Sequence, residues 1–572
     1  MIPVTGAATL GSYGNLPATV VSNNYQGDDS VSLIRGRHTI TIGGELQRRQ
    51  YNLFQTANLR GTMSFTTAYS SDPAVASGTG LGLADLLLGT PISGSLQYLD
   101  GTRGMRQTEL AGFFQDDFKV TDKLTLNLGV RYENYLGWPW TEVGNRAYNF
   151  VPADGGTVAQ VGSNGIPGSG VYNNKLDFMP RVGIAYRISS KTVFRVAYGI
   201  FYSAPQTAFS LDITANPPEL ISTAFVNSAY NYAGAHTASD GFSHPAVGTV
   251  LGSALSYIDP HTKLPYTQQW NSTIQHQLTS STLLTVAYVG SVGTHLQAQD
   301  NINQPVPGAT AIVQRRPYPL YQTITAIEDV DKSNYQALQV TAERRLAKGL
   351  SFNLAYTYSH ALDYASLNPS SGGAPFMDSY NQRLDYGNAD YNMPNRFVGS
   401  ATYQLPFRAS GLARYVVQGW QLNSILSLYD GIPFTVSSAT NTLNTGGTSR
   451  AELIGPGNGS LPADQRNVHE WFNVAAFSGP PQLQYGDVGR NTLSGPATKQ
   501  LDFSVFKNFA FNEGRQSLQF RAEAFNLLNT PQFNNPAATI GAAGVGTITS
   551  AGSPFTFQRL SREIQLALKL YF

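Results

Sequence analysis

Residues 108–134 read TELAGFFQDDFKVTDKLTLNLGVRYEN, and the fold turns on them. In the second half, Leu124, Leu126, Leu128, Val130 and Tyr132 share one parity, while Thr125, Asn127, Gly129, Arg131 and Glu133 share the other. Successive side chains of a strand point to opposite faces, so this alternation makes a strand with one apolar and one polar face. The first half reads as its partner strand, with Thr121-Asp122 as a tight polar turn between them, and the pair is a β-hairpin. Asp116 and Asp117 are strand neighbours, so they face opposite ways and cannot work as paired catalytic carboxylates.

The same unit recurs along the chain. PRVGIAYRI turns at SSK into TVFRVAYGIFY, where Phe194, Val196, Tyr198, Ile200 and Tyr202 oppose Arg195, Ala197 and Gly199. WNSTIQHQL turns at TSS into TLLTVAYVG, YQALQVTAERRL at AKG into LSFNLAYTYSH, and LDFSVFKNFAF at NEGR into QSLQFRAEAFNLL. The earliest strand is DSVSLIRG, which turns at RGRH into TITIGGELQRRQ. The joins on the other side are long and rich in Gly, Pro, Asn, Ser and Thr, covering roughly 134–175, 203–265, 299–332, 361–393, 431–498 and 529–556. Strict alternation of short and long connections puts all the turns at one end and all the loops at the other. That is the layout of a transmembrane antiparallel β-barrel with short periplasmic turns and long extracellular loops. A soluble sandwich would carry turns every 8–12 residues or so at both ends. Counting back from the last strand gives roughly 17 strands, an odd number, where single-chain bacterial barrels have even ones. The expectation is therefore a barrel over 28–572 that lacks strands on its N-terminal side, with residues 1–27 as an irregular lead-in. A parent of about 22 strands fits the plugged outer-membrane transporters.

Composition agrees with an all-β membrane protein. Charged residues make up 13% of the 572, against about 25% in soluble domains. There are 31 Tyr, 29 Phe and 56 Gly, and no Cys. The formal net charge of +1 supplies no field to steer nucleic acid or anionic lipid. No run of 18 apolar residues offers a transmembrane helix, and the longest apolar stretch, LGLADLLLGTPI, is broken by Asp85 and Pro91.

No catalytic, cofactor-binding or metal-binding constellation emerges. The eight His are scattered, and the Gly-rich GTGLGLADLLLG lacks the Lys-Ser/Thr of a phosphate loop. An enzyme reading has no residue support. The polar strand faces carry candidate lumenal charges, notably Arg131, Glu133, Arg195, Arg521 and Glu523. Such residues can pair across neighbouring strands or contact a plug or ligand. Trp138 and Trp140, in LGWPWTE at the base of a long loop, are candidate ligand-contact or interface aromatics.

FFQDDFKVTDKLTLNLGVRYE, NRFVGSATYQLPF, GWQLNSILSLYDGIPFTV and FRAEAFNLLNTPQFNNP resemble the C-terminal barrel of TonB-dependent outer-membrane receptors. RGRHTITIGGELQRRQ and LADLLLGTP are similar to the Oar-like branch found in acidobacteria, so the resemblance runs from about residue 28 to 572. It implies a bacterial outer-membrane location, contact with outer-membrane lipid and folding by the barrel-assembly machinery. It also implies uptake of a large scarce nutrient, an oligosaccharide, peptide or siderophore, captured by the extracellular loops. The branch carries a plug and a small carboxypeptidase-regulatory-like domain ahead of the barrel. Neither is visible in this sequence, so the TonB system would act only through the missing plug. A structural or adhesive outer-membrane protein is the competing function. The final stretch, IQLALKLYF, alternates strictly, and its Tyr571 and Phe572 resemble the terminal-strand signal for outer-membrane assembly.

Overall fold

The computed structural model describes residues 1–572 except 57, 76–77, 100, 164, 205–206, 231–233, 243–251, 367–375, 441, 512–515 and 553–560. The strands expected from alternation form. β1 (Thr19–Arg35) and β2 (His38–Phe54) make the first hairpin; β3 (Arg103–Lys119) and β4 (Leu124–Glu142) make the second. They are followed by β5 (Asp177–Arg187) with β6 (Thr192–Tyr202), and β7 (Tyr266–Thr279) with β8 (Thr282–Asn301). Next come β9 (Ile324–Ala347) with β10 (Leu350–Asp363), and β11 (Asn395–Gln404) with β12 (Trp420–Tyr429). The last are β13 (Thr498–Phe511), β14 (Gln516–Phe525) and β15 (Glu563–Tyr571). Each pairs antiparallel with the next in chain order, so the wall is one continuous meander.

Turn chemistry explains why the hairpins close where they do. Between β9 and β10, Lys348 (φ 52°) and Gly349 (φ 78°) both sit at positive φ, the requirement of a type I′ turn whose twist matches that of the strands. Between β1 and β2 the loop is Gly36-Arg37, with φ 60° at Gly36, the residue that type II′ turns place first. The NEGR turn between β13 and β14 lies outside the described residues.

Two expectations are corrected. The first strand begins at Thr19, so residues 19–27 of the anticipated lead-in are already wall. This segment, TVVSNNYQGDD, has no clean apolar face, and it is fixed by the ladder to β2 instead of by periodicity. Seventeen strands share the main sheet among the described residues, but two are short loop segments beside β9 and β10 (Leu255–Ile258 and Gly387–Asn388). The wall proper is the other fifteen. Within the described residues β1 pairs only with β2, and β15 only with β14, so this sheet has two edges. Both edge strands run toward the turn end, so joining them directly would make a parallel pair.

The faces divide as the alternation requires. Leu128, Val130, Val182, Ile184, Ile274, Val286, Leu338, Ile425 and Leu566 stand exposed on the outer parity. Arg131, Gln115, Asn127 and Arg181 stand on the inner one, set by the register Gln115↔Gly129↔Arg181. The buried apolar core lies instead in the long loops. Tyr135, Ala147, Val171, Ile213, Ile258, Leu264 and Ile327 form one cluster across two loops and two strand tops. Phe150, Leu255, Tyr321 and Ile324 form a second. Phe434, Val436, Ala451, Phe472, Ala476, Phe477, Val488 and Leu493 form a third, with Ile540 packed against it from the loop before β15. The loops are thus a folded cap. The LADLLLG stretch belongs to it as a short helix, α1 (Gly82–Leu88), closed by Gly89 at φ 70°. Asp85 of α1 is fully buried and accepts the backbone N–H groups of Tyr69 (3.0 Å) and Ser70 (2.8 Å).

Candidate functional site

The inner wall carries a charged cluster where β2, β3 and β4 run side by side. Alternation puts Glu45, Gln47 and Arg49 of β2, Gln107 and Glu109 of β3, and Arg131, Glu133 and Tyr135 of β4 on one face. Arg131 donates to Glu133 (2.5 Å) and Glu45 (2.9 Å), and lies 3.9 Å from Glu109. Arg49 donates to Glu109 (2.7 Å), Gln107 (2.8 Å) and Gln47. Tyr135 closes the group by donating to Glu133 at 2.7 Å. Three carboxylates therefore share two guanidiniums, and each charge is held by charge-assisted hydrogen bonds. Arg131 and Glu133 are thus brought together with Glu45, Glu109 and Arg49, which the sequence did not single out. The other expected lumenal charges lie elsewhere. Arg195 donates to Gln275 of the neighbouring strand. Arg521 donates to Gln519 (2.6 Å) and the Tyr571 hydroxyl (3.1 Å), with its guanidinium 4.5 Å from the Phe506 ring centre. Glu523 stands across from Gln565 on the same face.

Beside the cluster the inner wall is recessed, with a volume of about 510 Å³. Gly129, Gly183 and Gly199 remove side chains from adjacent strands there, and Arg181, Gln115, Asn127 and Gln269 line the hollow. The Arg181 guanidinium sits 4.8 Å over the Phe201 ring. On strand β3, Asp116 turns to His38 (2.7 Å) and Asp117 accepts from Asn127 (2.6 Å), so the two acids do face opposite ways.

The remaining site residues fall as follows. Trp140 is buried, 6% exposed, so its ring is packed and not free for a ligand; the side chain of Trp138 lies outside the described residues. Tyr571 hydrogen-bonds Gln519 at 3.3 Å, while Phe572 is 95% exposed at the turn end.

In the cap, two arginines clamp the loop after β12 to the loop after β10. Arg490 donates to Asp363 (2.7 Å) and Ser366 (2.7 Å), and lies 3.3 Å from Asp390. Arg450 donates to the Leu384 carbonyl (2.6 Å) and to Asp385. Burial pushes the Asp385 carboxyl up and the Arg450 guanidinium down from their ordinary values. Both shifts disfavour charge, so this pair specifies how the loops dock more than it stabilises them. In the loop between β6 and β7, burial raises the Asp212 carboxyl to about 6. Sequence reasoning missed all of these because each clamp joins residues separated by more than about sixty positions. Among the described residues, no group of three or more His, Asp or Glu is placed to hold a metal ion.

This arrangement, a lipid-facing antiparallel wall around a polar interior under a folded loop cap, is that of an outer-membrane β-barrel. The chain belongs to the outer membrane beta barrel domain family, whose profile matches residues 1–565. It lies in the bacterial outer membrane. The chain is similar in fold to the outer membrane transporter YddB from Escherichia coli, at 10% identity and a TM-score of 0.50, covering 97% of this chain and 54% of that one. It also matches the pyoverdine outer membrane receptor FpvA from Pseudomonas aeruginosa at 12% identity and a TM-score of 0.47, covering 97% and 53%. A third match is the ferric citrate transporter FecA, at 10% identity and a TM-score of 0.44, covering 97% and 55%. The chain spans about half the length of these structures. No curated protein matches it.

Proposed function

We propose that this protein is an outer-membrane transporter or receptor that captures a large scarce nutrient in its loop cap and passes it through the barrel. The observation that carries this reading is the folded cap: three apolar clusters hold the long loops in fixed positions above a polar interior. A passive pore needs no such construction, whereas a binding surface must be preorganised to hold a ligand without a large ordering cost. The nutrient class is an oligosaccharide, peptide or siderophore, with the first two favoured by the resemblance to the Oar-like branch. Energised uptake would run through a plug of the kind that resemblance implies, with the TonB system acting on it. The barrel-assembly machinery would recognise the strand ending in Tyr571 and Phe572. The test is accumulation of labelled nutrient by cells expressing the full-length gene, with and without a functional TonB system. Uptake that vanishes without TonB supports the reading. Steady ion conduction by the full-length protein in liposomes, with no TonB present, would sink it.

A further inference from the structure

A cleft of about 580 Å³ opens in the cap where the tops of β8 and β9 meet the loops before β7 and after β10. Ligand pockets are commonly about 300–1,000 Å³, so it can take a molecule of several ring units. Cations outnumber carboxylates in its lining. Lys263, Lys332 and Arg383 all line it, and among the described residues none of the three makes an ion pair. The single carboxylate in the lining, Asp329, is already engaged by His295 (3.3 Å) and by the backbone N–H of Lys263 (3.0 Å). The three cations come from separate segments of the chain and stand exposed around one cleft. An anion entering the cleft can meet all three without first displacing a carboxylate from any of them.

The remaining lining supplies ring surface and amides. Tyr364 and Tyr380 present aromatic rings, Asn381 adds an amide that both donates and accepts, and Gln382 adds its carbonyl as an acceptor. Beyond Gln382 lies a smaller chamber containing Asp300 and Glu328, but those acids are already bonded. Ser379 donates to Asp300 at 2.6 Å, and the Gln382 amide donates to Asp300 (3.0 Å) and Glu328 (3.3 Å). The oxygens of these acids are thus already engaged by neutral donors from within the chamber. Aromatic faces and amides suit sugar rings and hydroxyls, and the free cations suit carboxylates.

We propose that this cleft binds an acidic oligosaccharide, a short glycan bearing carboxylates, through Lys263, Lys332 and Arg383. The assignment deepens the transport reading and rests on it only for what happens after binding. The probe is trigalacturonate, titrated calorimetrically into the whole protein in detergent micelles, with maltotriose as the neutral comparator. Trigalacturonate should bind at least tenfold more tightly than maltotriose, with an affinity that falls as salt rises. The combined substitution Lys263→Gln, Lys332→Gln and Arg383→Gln should weaken it thirtyfold or more. The same charge removed at the turn end, by Lys119→Gln, Lys123→Gln and Lys191→Gln, should leave binding unchanged. Unchanged protease protection of the cap, together with heat-modifiable gel migration of the barrel, checks that both variants remain folded. Equal binding of the two sugars, or binding indifferent to the cap triple, overturns the proposal. So does capture of inorganic phosphate or of lipid A vesicles through the same three residues in place of the sugar, which would make the site one for phosphate. If trigalacturonate binds as expected but cells with TonB fail to accumulate it, the cleft stands and the transport reading falls. If cells accumulate a neutral glycan or a peptide independently of the three cations, the reverse holds.

Discussion

The wall and the cap solve the same problem in opposite ways. In the wall, Leu128, Val130, Ile274, Val286 and Leu338 lie on the outer surface, and the inside holds Arg131, Glu133, Arg49 and Glu109. In the cap, Phe150, Val436, Phe472 and Ile324 are sealed inside, and Lys263, Lys332 and Arg383 are turned out. The difference lies in the solvent. Lipid solvates the wall's apolar face, so its strands need internal satisfaction only for backbone hydrogen bonds. Water surrounds the cap, which must bury apolar area to pay for ordering its long segments. Two folding rules therefore operate within one chain, and a substitution should act differently on each side of the boundary.

The largest expected effect lies in the cap. Phe472 is 1% exposed and meets Phe477 edge-on at 5.7 Å, so Phe472→Ala should cost the cap about 3–5 kcal/mol. Protease cleavage within 429–498 should accelerate while heat-modifiable migration of the barrel stays intact. Loss of that migration would show that wall and cap fold as one unit, breaking the comparison. In the wall, Val130→Arg places a charge on the lipid face, where midplane substitutions cost about 2–4 kcal/mol. Urea-dependent insertion into vesicles should weaken accordingly, and protease protection of the cap should not change. The smallest effect concerns pH. The Asp212 carboxyl is raised to about 6 by burial in the folded cap, so the fold holds this proton more tightly than the unfolded chain does. The favourable contribution is complete below the unfolded value of ~3.9 and is lost as pH rises toward 6. Asp212→Asn should therefore slow hydrogen exchange in the 202–266 loop at pH 7.5, by roughly 1–2 kcal/mol, and do little at pH 4. Equal slowing at both values would assign the effect to packing instead of charge.

The legibility of the sequence follows the same boundary. Alternation exposed β4, β6 and β13 because a face meeting lipid must be apolar at every second residue over the membrane's thickness. It missed the first half of β1, where Asn23, Asn24, Gln26 and Asp28 follow no such pattern and the strand forms by pairing with Arg49, Glu45 and their neighbours. The cap's position was legible as long loops, but its core was not, because Phe434, Phe472 and Phe477 follow no period and meet only after the chain has folded back. The Arg490–Asp363 clamp is hidden for the same reason. So are the partners of Arg131: Glu133 could be read from strand spacing, but Glu45 comes from a strand 86 positions away.

By itself, the sequence determined an all-β membrane-spanning wall, its two faces, and the separation of turns from loops. Each is a local property, written in period two and in turn residues such as Lys348-Gly349. The tertiary structure alone decided that the loops form a cored cap, that Arg131 and Arg49 share three glutamates, and that Lys263, Lys332 and Arg383 ring one cleft. Those arrangements depend on contacts between distant segments, and no local pattern encodes which distant segments will meet.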